Sequence, residues 1–587
     1  MRLGLWLKVG VRDWQNYVPI VPTLRHYTSR DFSSDLVAGL VVGMVTIPQA
    51  VAYAFLAGVP PEAGLYACLL PMLLYCFFGS SKQLVVGPVA VAAIMLAATV
   101  SDFAPKYSAE YLEVAMIICL QVGVVLLLLR LSRMGGLVNL LSHPVITGFV
   151  NAAAILIIIS QLPAFTGIGA GDSEQAWNQL VHVLSHLLEA DTATLVFGTL
   201  ALSLLLVFPK LIRRLLAFGG WQVDENHAIT RVGPMLVAVL AVLAVAAVGI
   251  GNGLDKVGFV PSGLPELRIP RFDPALWLAL LPSSFAIALV SYVESYSIGT
   301  TIAVRQQTRV NSHQELIALG AANVGAAFTG AYPVAGSFSR SSVNYYAGAR
   351  TAMSSVFCAV VIVAVLMFLT PLFEYLPNAV LAAIVMVSVV GLMDLRSGPK
   401  HWRLHREETI TEYATMVTVL LLGVETGLII GVALAIAFFI RTSSRPNITQ
   451  VGRMANTEHF RSIKRHDVET LPHVLALRVD ENIYFANATQ IEDKFLKRAQ
   501  RRKSTRHLLI VGSSINLIDA TGVQMLHRLN DNLQRAGITL NFCDLKEQLV
   551  VTLDRAGLLA TLNGQQFISA DRAMRHFARE LETDGDT

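Results

Sequence analysis

The 587-residue sequence predicts a multi-span α-helical membrane protein: fourteen segments as two inverted repeats of seven with two half-helices, followed by a small α/β domain. Three observations predict it. Hydrophobic residues make up 54% of the chain and charged residues only 15%, with a mean hydropathy of +0.56, whereas soluble proteins carry about 25% charged residues. This composition excludes a soluble multidomain enzyme, a collagen-like chain and a disordered chain. The charge is also unevenly placed. Residues 441–587 hold 38 charged side chains, about a quarter of that stretch, against about 11% in residues 1–440. Finally, two short apolar segments are interrupted by Gly and Pro at corresponding places in the two halves.

The composition break at Arg441 divides the chain. Residues 1–31 read as a lead-in with interfacial aromatics Trp6, Trp14 and Tyr17, and without the apolar run of a signal peptide. Residues 32–441 read as the membrane domain, 442–470 as a linker, 471–570 as the α/β domain and 571–587 as a tail. A helix needs about 20 apolar residues to cross the hydrocarbon. Fourteen segments fit: 32–56, 63–79, 87–100, 112–131, 144–162, 192–209, 232–250, 275–299, 314–332, 335–347, 352–373, 378–393, 408–423 and 425–440. The third and tenth are too short to span alone. Lys82, Arg130, Arg133, Lys210, Arg213, Arg214, Arg231, Arg305, Arg309 and Arg350 fall on one set of connections, as do the later cluster from Arg396 to Arg406, Arg441 and Arg445. The other set holds only Lys106, Lys256, Arg268 and Arg271. By the positive-inside rule both termini are cytoplasmic, and the chain sits in the cell's inner membrane.

The net charge of +4 is ordinary for a membrane protein, and the basic run from Lys497 to Arg506 reads as a solvated helix end, not a nucleic-acid site. The five cysteines lack metal-ligand or disulfide spacing, so neither a metal nor a cofactor is expected.

Irregular backbone survives in a bilayer only inside protein or beside water. Val86-Gly87-Pro88-Val89-Ala90-Val91 and Tyr332-Pro333-Val334-Ala335-Gly336-Ser337-Phe338-Ser339-Arg340 are the two interrupted stretches. Interrupted spans in corresponding positions point to a transporter with a mid-membrane site. A helix beginning inside the membrane has unpaired N–H groups and about half a positive charge at its start. Two such starts facing each other attract an anion. Ser337 and Ser339 add hydroxyl donors, and Arg340 adds a full charge.

Glu294 stands out among the apolar segments, because an intramembrane carboxylate is costly and marks function by default. Two readings fit it, a salt bridge with Arg340 or a proton-coupling group. Gln49 and Tyr53, four apart on the first segment, face one way; they either bond a neighbouring helix or touch a ligand.

Several longer motifs carry a resemblance. Gly58-Val-Pro-Pro-Glu-Ala-Gly-Leu-Tyr66, Phe78-Gly-Ser-Ser-Lys82 leading into Val86-Gly87-Pro88, Leu141-Ser-His-Pro-Val145 and Ser337-Phe-Ser-Arg-Ser-Ser-Val-Asn344 are similar to motifs of the sulfate permease family. Its animal members are anion exchangers and its plant members sulfate–proton symporters. The resemblance runs from Phe32 to Gly557. It implies a core of segments 1–4 and 8–11 moving against a gate of segments 5–7 and 12–14. It also implies an anion site lined by Gln49, Tyr53, Val89, Ala90, Val91, Phe338, Ser339 and Arg340, and a homodimer. Glu294 matches the acid of the Val-Glu-Ser motif found in proton-coupled members.

In the soluble part, Val474–Val479, Leu508–Gly512 and Ile538–Cys543 read as strands, alternating with helices at 491–502 and 521–536. This resembles the STAS domain of the same transporters. Thr521 matches the phosphorylatable position of related bacterial antagonists; it also fits a helix N-cap. The expectation is a secondary active transporter, not an enzyme, that imports an inorganic anion, chiefly sulfate, with protons by elevator-type alternating access. Bicarbonate, a C4-dicarboxylate and anion exchange remain open. So does a transporter-like scaffold whose STAS domain recruits a soluble partner.

Overall fold

The computed structural model describes residues 18–132, 142–169, 176–218, 228–248 and 254–585. Trp6, Trp14, Tyr17, Arg133 and Leu141 lie outside the described residues. The chain divides into two compact units between Ala433 and Leu434.

The first unit contains the membrane segments up to the first half of the fourteenth, which crosses the boundary. Segment 1 is Ser29–Ala57, segment 2 the pair Pro61–Tyr66 and Leu70–Phe78, segment 3 Ala90–Val100, segment 4 Ala109–Leu131, segment 5 His143–Thr166, segment 6 Thr192–Phe218 and segment 7 Gly233–Val248. Segment 8 is Pro274–Arg305, segment 9 Ser312–Phe328, segment 10 Phe338–Tyr346, segment 11 Met353–Phe368, segment 12 Asn378–Val390, segment 13 Arg406–Leu422 and segment 14 Val424–Ser443. Among the described residues, seven helices are long and apolar enough to cross a membrane, by length and composition. Segments 3 and 10 have 11 and 9 residues. At about 1.5 Å per residue they reach roughly halfway across a hydrocarbon core of about 30 Å. Segment 2, read from the sequence as one helix, is two. Pro71 stands in the first turn of the second piece, where its missing N–H costs nothing. Two amphipathic helices, Ala176–Ser185 and Ser397–Leu404, occupy stretches the sequence reading left as connections.

The packing repeats when segment n is exchanged for segment n+7. Segment 4 packs on 8 and 9, and correspondingly segment 11 packs on 1 and 2; segment 5 packs on 12 and 13, and segment 12 on 5 and 6. Small residues permit the closest crossings. A Cβ on Gly123 of segment 4 would lie 2.9 Å from the Gly320 carbonyl of segment 9, so the two backbones meet there. Segments 1–4 and 8–11 form one packed group, the core, and segments 5, 6, 12 and 13 pack chiefly with one another, as part of the gate. Leu200, Leu206, Val207, Leu421 and Phe439 point outward from the gate segments and segment 14, as side chains facing lipid do.

The second unit has a six-stranded sheet, order β4-β3-β5-β6-β7-β8. The strands are β3 Ile448–Arg453, β4 Phe460–Ser462, β5 Val474–Val479, β6 His507–Val511, β7 Thr539–Cys543 and β8 Gln566–Phe567; β1 and β2 belong to the first unit. Strands β5 to β8 are parallel, and β3 is antiparallel to β4 and β5. Helices α1 Ala488–Arg501, α2 Ala520–Arg535 and α3 Glu547–Arg555 cover one face through Ile491, Phe495, Met525, Leu529 and Leu553. Helix α4, Ala570–Gly585, covers the other through Ala573, Met574 and Phe577.

Two readings are corrected here. Residues 442–470 are not a linker, because β3 and β4 lie within them. Nor are residues 571–587 a tail, since α4 runs from Ala570 to Gly585. Both elements are edge or covering pieces whose outer faces carry charge, as protected sheet edges do. That surface polarity hid a buried inner face.

Candidate functional site

The two half-helices start from a shared two-stranded ladder. β1, Val86–Gly87, pairs antiparallel with β2, Ala335–Gly336, so that Val86 faces Gly336 and Gly87 faces Ala335. Side chains from several segments hold this ladder. The Ser337 N–H donates to the Val85 carbonyl at 3.0 Å, and the Val85 N–H to Ser341 Oγ at 2.9 Å. The Gly336 N–H donates to Ser295 Oγ at 2.8 Å. Asn323 of segment 9 both accepts from the Val334 N–H and donates to its carbonyl, and Asn344 donates to the Gln83 carbonyl. Segment 10 is capped by Ser337, whose Oγ accepts from the Arg340 N–H. Segment 3 follows Val89 with no side-chain cap, leaving the amides of its first turn to other partners.

A cavity of about 540 Å³ opens beside the start of segment 10. Gln49, Phe338, Ser339 and Ser388 line it, between segments 1 and 10 of the core and segments 6, 7 and 12 of the gate. Lys210, Arg213 and Arg231 also line it, from segment 6 and the stretch before segment 7. Gln49 Nε2 donates to Ser388 Oγ at 3.2 Å. Tyr53, one turn further along segment 1, is buried and its hydroxyl meets the same serine.

The expected anion-lining set therefore separates. Gln49, Phe338 and Ser339 come together at the cavity, with Tyr53 behind Gln49. Val89, Ala90 and Val91 are buried and are not among the cavity's lining residues; Val89 packs with Ala92 and Ala335. Arg340 is fully buried and turned away. Its Nη2 donates to the Pro88 carbonyl at 2.5 Å and its Nη1 approaches Cys68 Sγ at 3.9 Å. A Cβ at position 87 would lie 2.9 Å from Nη1, which is why Gly87 stands there. Arg340 thus ties the start of one half-helix to the ladder of the other, and its charge reaches the cavity only as a field.

Glu294 lies elsewhere, in a small apolar pocket with Ile146, Phe149, Val150, Val290, Val293 and Leu428. This is the contact of segment 8 with segments 5 and 14. Among the described residues Glu294 has no hydrogen-bond or ion-pair partner, so the expected salt bridge with Arg340 is not formed. Its neighbour Ser295 faces the other way and holds β2.

Sequence reasoning missed a second carboxylate, the buried Glu315 in the first turn of segment 9. It accepts from the Tyr75 hydroxyl at 2.7 Å and from both the N–H and the hydroxyl of Ser80, at 2.9 and 2.7 Å. Ser80 belongs to the Phe78–Lys82 motif, whose role is therefore to satisfy this acid. Asp35, also buried, accepts from the Arg350 and Thr351 amides and caps the approach to segment 11. Ser388 was likewise missed; a single serine in an apolar run is weak as a signal.

In the second unit Asp519, not Thr521, is the N-cap of α2, its Oδ1 accepting from the Gly522 N–H at 2.7 Å. This corrects the cap reading of Thr521, which is the second residue of the helix and exposed.

Comparison with known proteins agrees with this architecture. The sulfate permease family matches residues 32–415 and the STAS domain residues 465–570. Sulfate transporter 4.1, chloroplastic, of Arabidopsis thaliana is 32% identical over 569 residues, 94% of this chain and 82% of that protein. High affinity sulfate transporter 2 of Stylosanthes hamata is 31% identical over 570 residues, 94% of this chain and 85% of that one. Among solved structures, the murine Slc26a9 anion transporter in the inward-facing state superposes with a TM-score of 0.89 at 22% identity, covering 97% of this chain and 96% of that one. The transmembrane domain of the cyanobacterial bicarbonate transporter BicA gives 0.58 at 20% identity, covering 70% and 98%. At these identities the two structures speak for the fold alone. The chain belongs to the sulfate permease family, a family of membrane transporters and not of enzymes, and carries its C-terminal STAS domain.

Proposed function

We propose that the protein imports sulfate together with protons, by movement of the core against the gate, in the inner membrane with both termini in the cytoplasm. The observation that carries this reading is the cavity at the first turn of segment 10, where Gln49, Phe338 and Ser339 meet between core and gate. An oxyanion there takes hydrogen bonds from Ser339 and Gln49 at the start of segment 10, with the helix dipole favouring its charge. The names of the plant relatives support sulfate. In this orientation the cavity faces the cytoplasm, because Lys210, Arg213 and Arg231 belong to the basic connections.

Glu294 supplies the proton site. An ionised carboxylate without donors is costly in an apolar place, and Glu294, at the core–gate contact, has none among the described residues. Protonated, it lets segment 8 slide past segments 5 and 14; ionised, it holds the core where water reaches it. The protein works as a homodimer, and its STAS domain offers Thr521 for phosphorylation and a surface for a soluble partner.

Calorimetry on the purified protein with sulfate, bicarbonate, chloride and fumarate tests the substrate. Sulfate is expected to bind tightest, and Ser339→Asp to abolish that binding. Tighter binding of another anion, or unchanged affinity in Ser339→Asp, would overturn the reading.

A further inference from the structure

Gln49 and Ser388 form a contact that the transport reading does not use. Gln49 is on the core and Ser388 on the gate, and both line the same cavity. Gln49 Nε2 donates to Ser388 Oγ at 3.2 Å, and the Ser388 hydroxyl donates to the Ile384 carbonyl at 2.7 Å within its own helix. The other end of the amide, Gln49 Oε1, is buried and has no hydrogen-bond partner, on a residue only 2% exposed. A buried acceptor without a donor calls for an explanation. It is also the wrong group to offer an anion, which only accepts.

An amide has a donor end and an acceptor end of nearly identical shape, and a serine hydroxyl is both donor and acceptor. Turning the Gln49 amide by half a revolution corrects both faults. Its NH₂ group then presents two N–H donors to an oxyanion, and Oε1 accepts from Ser388. The Ser388 hydrogen needs only to rotate from the Ile384 carbonyl to Gln49.

We propose that Ser388 is a gate-side positioning residue: its hydroxyl sets which end of the Gln49 amide faces the anion, and so makes anion affinity depend on how core and gate are aligned. With the core in this position Ser388 stabilises the anion-binding orientation. With the core shifted across, Gln49 leaves Ser388 and the amide loses that support. The inference rests on the proposed anion site and on core movement, and adds a determinant of sidedness to them.

The test uses oriented membrane vesicles, right-side-out and inside-out, with sulfate KM measured from each face. Ser388→Ala is expected to raise KM severalfold, up to about tenfold, at the cytoplasmic face, the worth of the one neutral hydrogen bond that holds the amide, and to leave the outer face unchanged. Ser388→Thr, which keeps the hydroxyl, should restore it. Combining Ser388→Ala with Gln49→Ala should cost no more than Gln49→Ala alone. An unchanged KM in Ser388→Ala, an equal rise at both faces, or additive losses would overturn this inference while leaving the anion site standing. A wild-type protein without anion affinity at either face would overturn the site as well.

Discussion

Two glutamates in consecutive segments, Glu315 fully buried and Glu294 half-buried, have opposite surroundings. Glu315 of segment 9 takes three hydrogen bonds, from Tyr75 and twice from Ser80. Glu294 of segment 8 sits among Ile146, Phe149, Val290, Val293 and Leu428 with no donor among the described residues. The first is a fastener: its donors come from segment 2 and the loop after it, and it joins them to segment 9. The second fastens nothing, and it lies on a contact between core and gate. A carboxylate inside a membrane is thus no single kind of feature; its donors set the structural Glu315 apart from Glu294.

Replacing each acid sharpens or breaks this contrast. Glu315→Ala strips partners from Tyr75 and Ser80 in a fully buried place and should destabilise the first unit by at least about 3 kcal/mol, read as a lower melting temperature in detergent. A loss under about 1 kcal/mol would mean that the three bonds hold nothing. Tyr75→Phe removes one of the donors and should cost about 1–3 kcal/mol by the same measurement. Glu294→Gln should lie within about 1 kcal/mol of wild type, since no partner is lost. A large drop in stability there would erase the distinction.

The smallest effect concerns buried histidines in the second unit. Burial holds the His473 and His507 imidazoles below their ordinary range. The folded state then binds protons less readily than the unfolded chain, so their stabilising contribution is full above the ordinary histidine range and declines as pH falls through it. His473 Nε2 donates to the Phe577 carbonyl at 3.1 Å, and His507 stacks on the Phe577 ring at 4.4 Å. Melting of the second unit followed from pH 7.5 to 5.5, ordinary buffer settings about the histidine range, should show falling stability that His507→Gln flattens. A slope identical in the variant would contradict this.

Much of the architecture was legible because the bilayer imposes it. Twenty-residue apolar runs and the Gly-Pro interruptions at 87–88 and 333–336 revealed the segments and the half-helices. The ladder between β1 and β2 was not legible, since a two-residue strand has no periodicity. Gln49, Phe338 and Ser339, which the family resemblance implies as anion-lining, come together at one cavity. The direction of Arg340 was not legible, because sequence shows that a cation is present but not which way its guanidinium turns; here it turns to the Pro88 carbonyl. Glu315 escaped notice because it opens a segment, where acids are common, and only the fold reveals its burial. Ser388 lies 339 residues from Gln49, a separation no local pattern spans. The strands in 442–470 were lost in a polar stretch for the same reason that sheet edges are polar at all.

Proton-coupled uptake through Glu294 is the central claim. Its most direct test is uptake of labelled sulfate into proteoliposomes against external pH, with wild type beside Glu294→Gln. Wild-type uptake should rise as the external pH is lowered, and that of Glu294→Gln should lose this dependence while the protein still binds sulfate. Uptake that is large and equally insensitive to pH in both proteins would contradict the account.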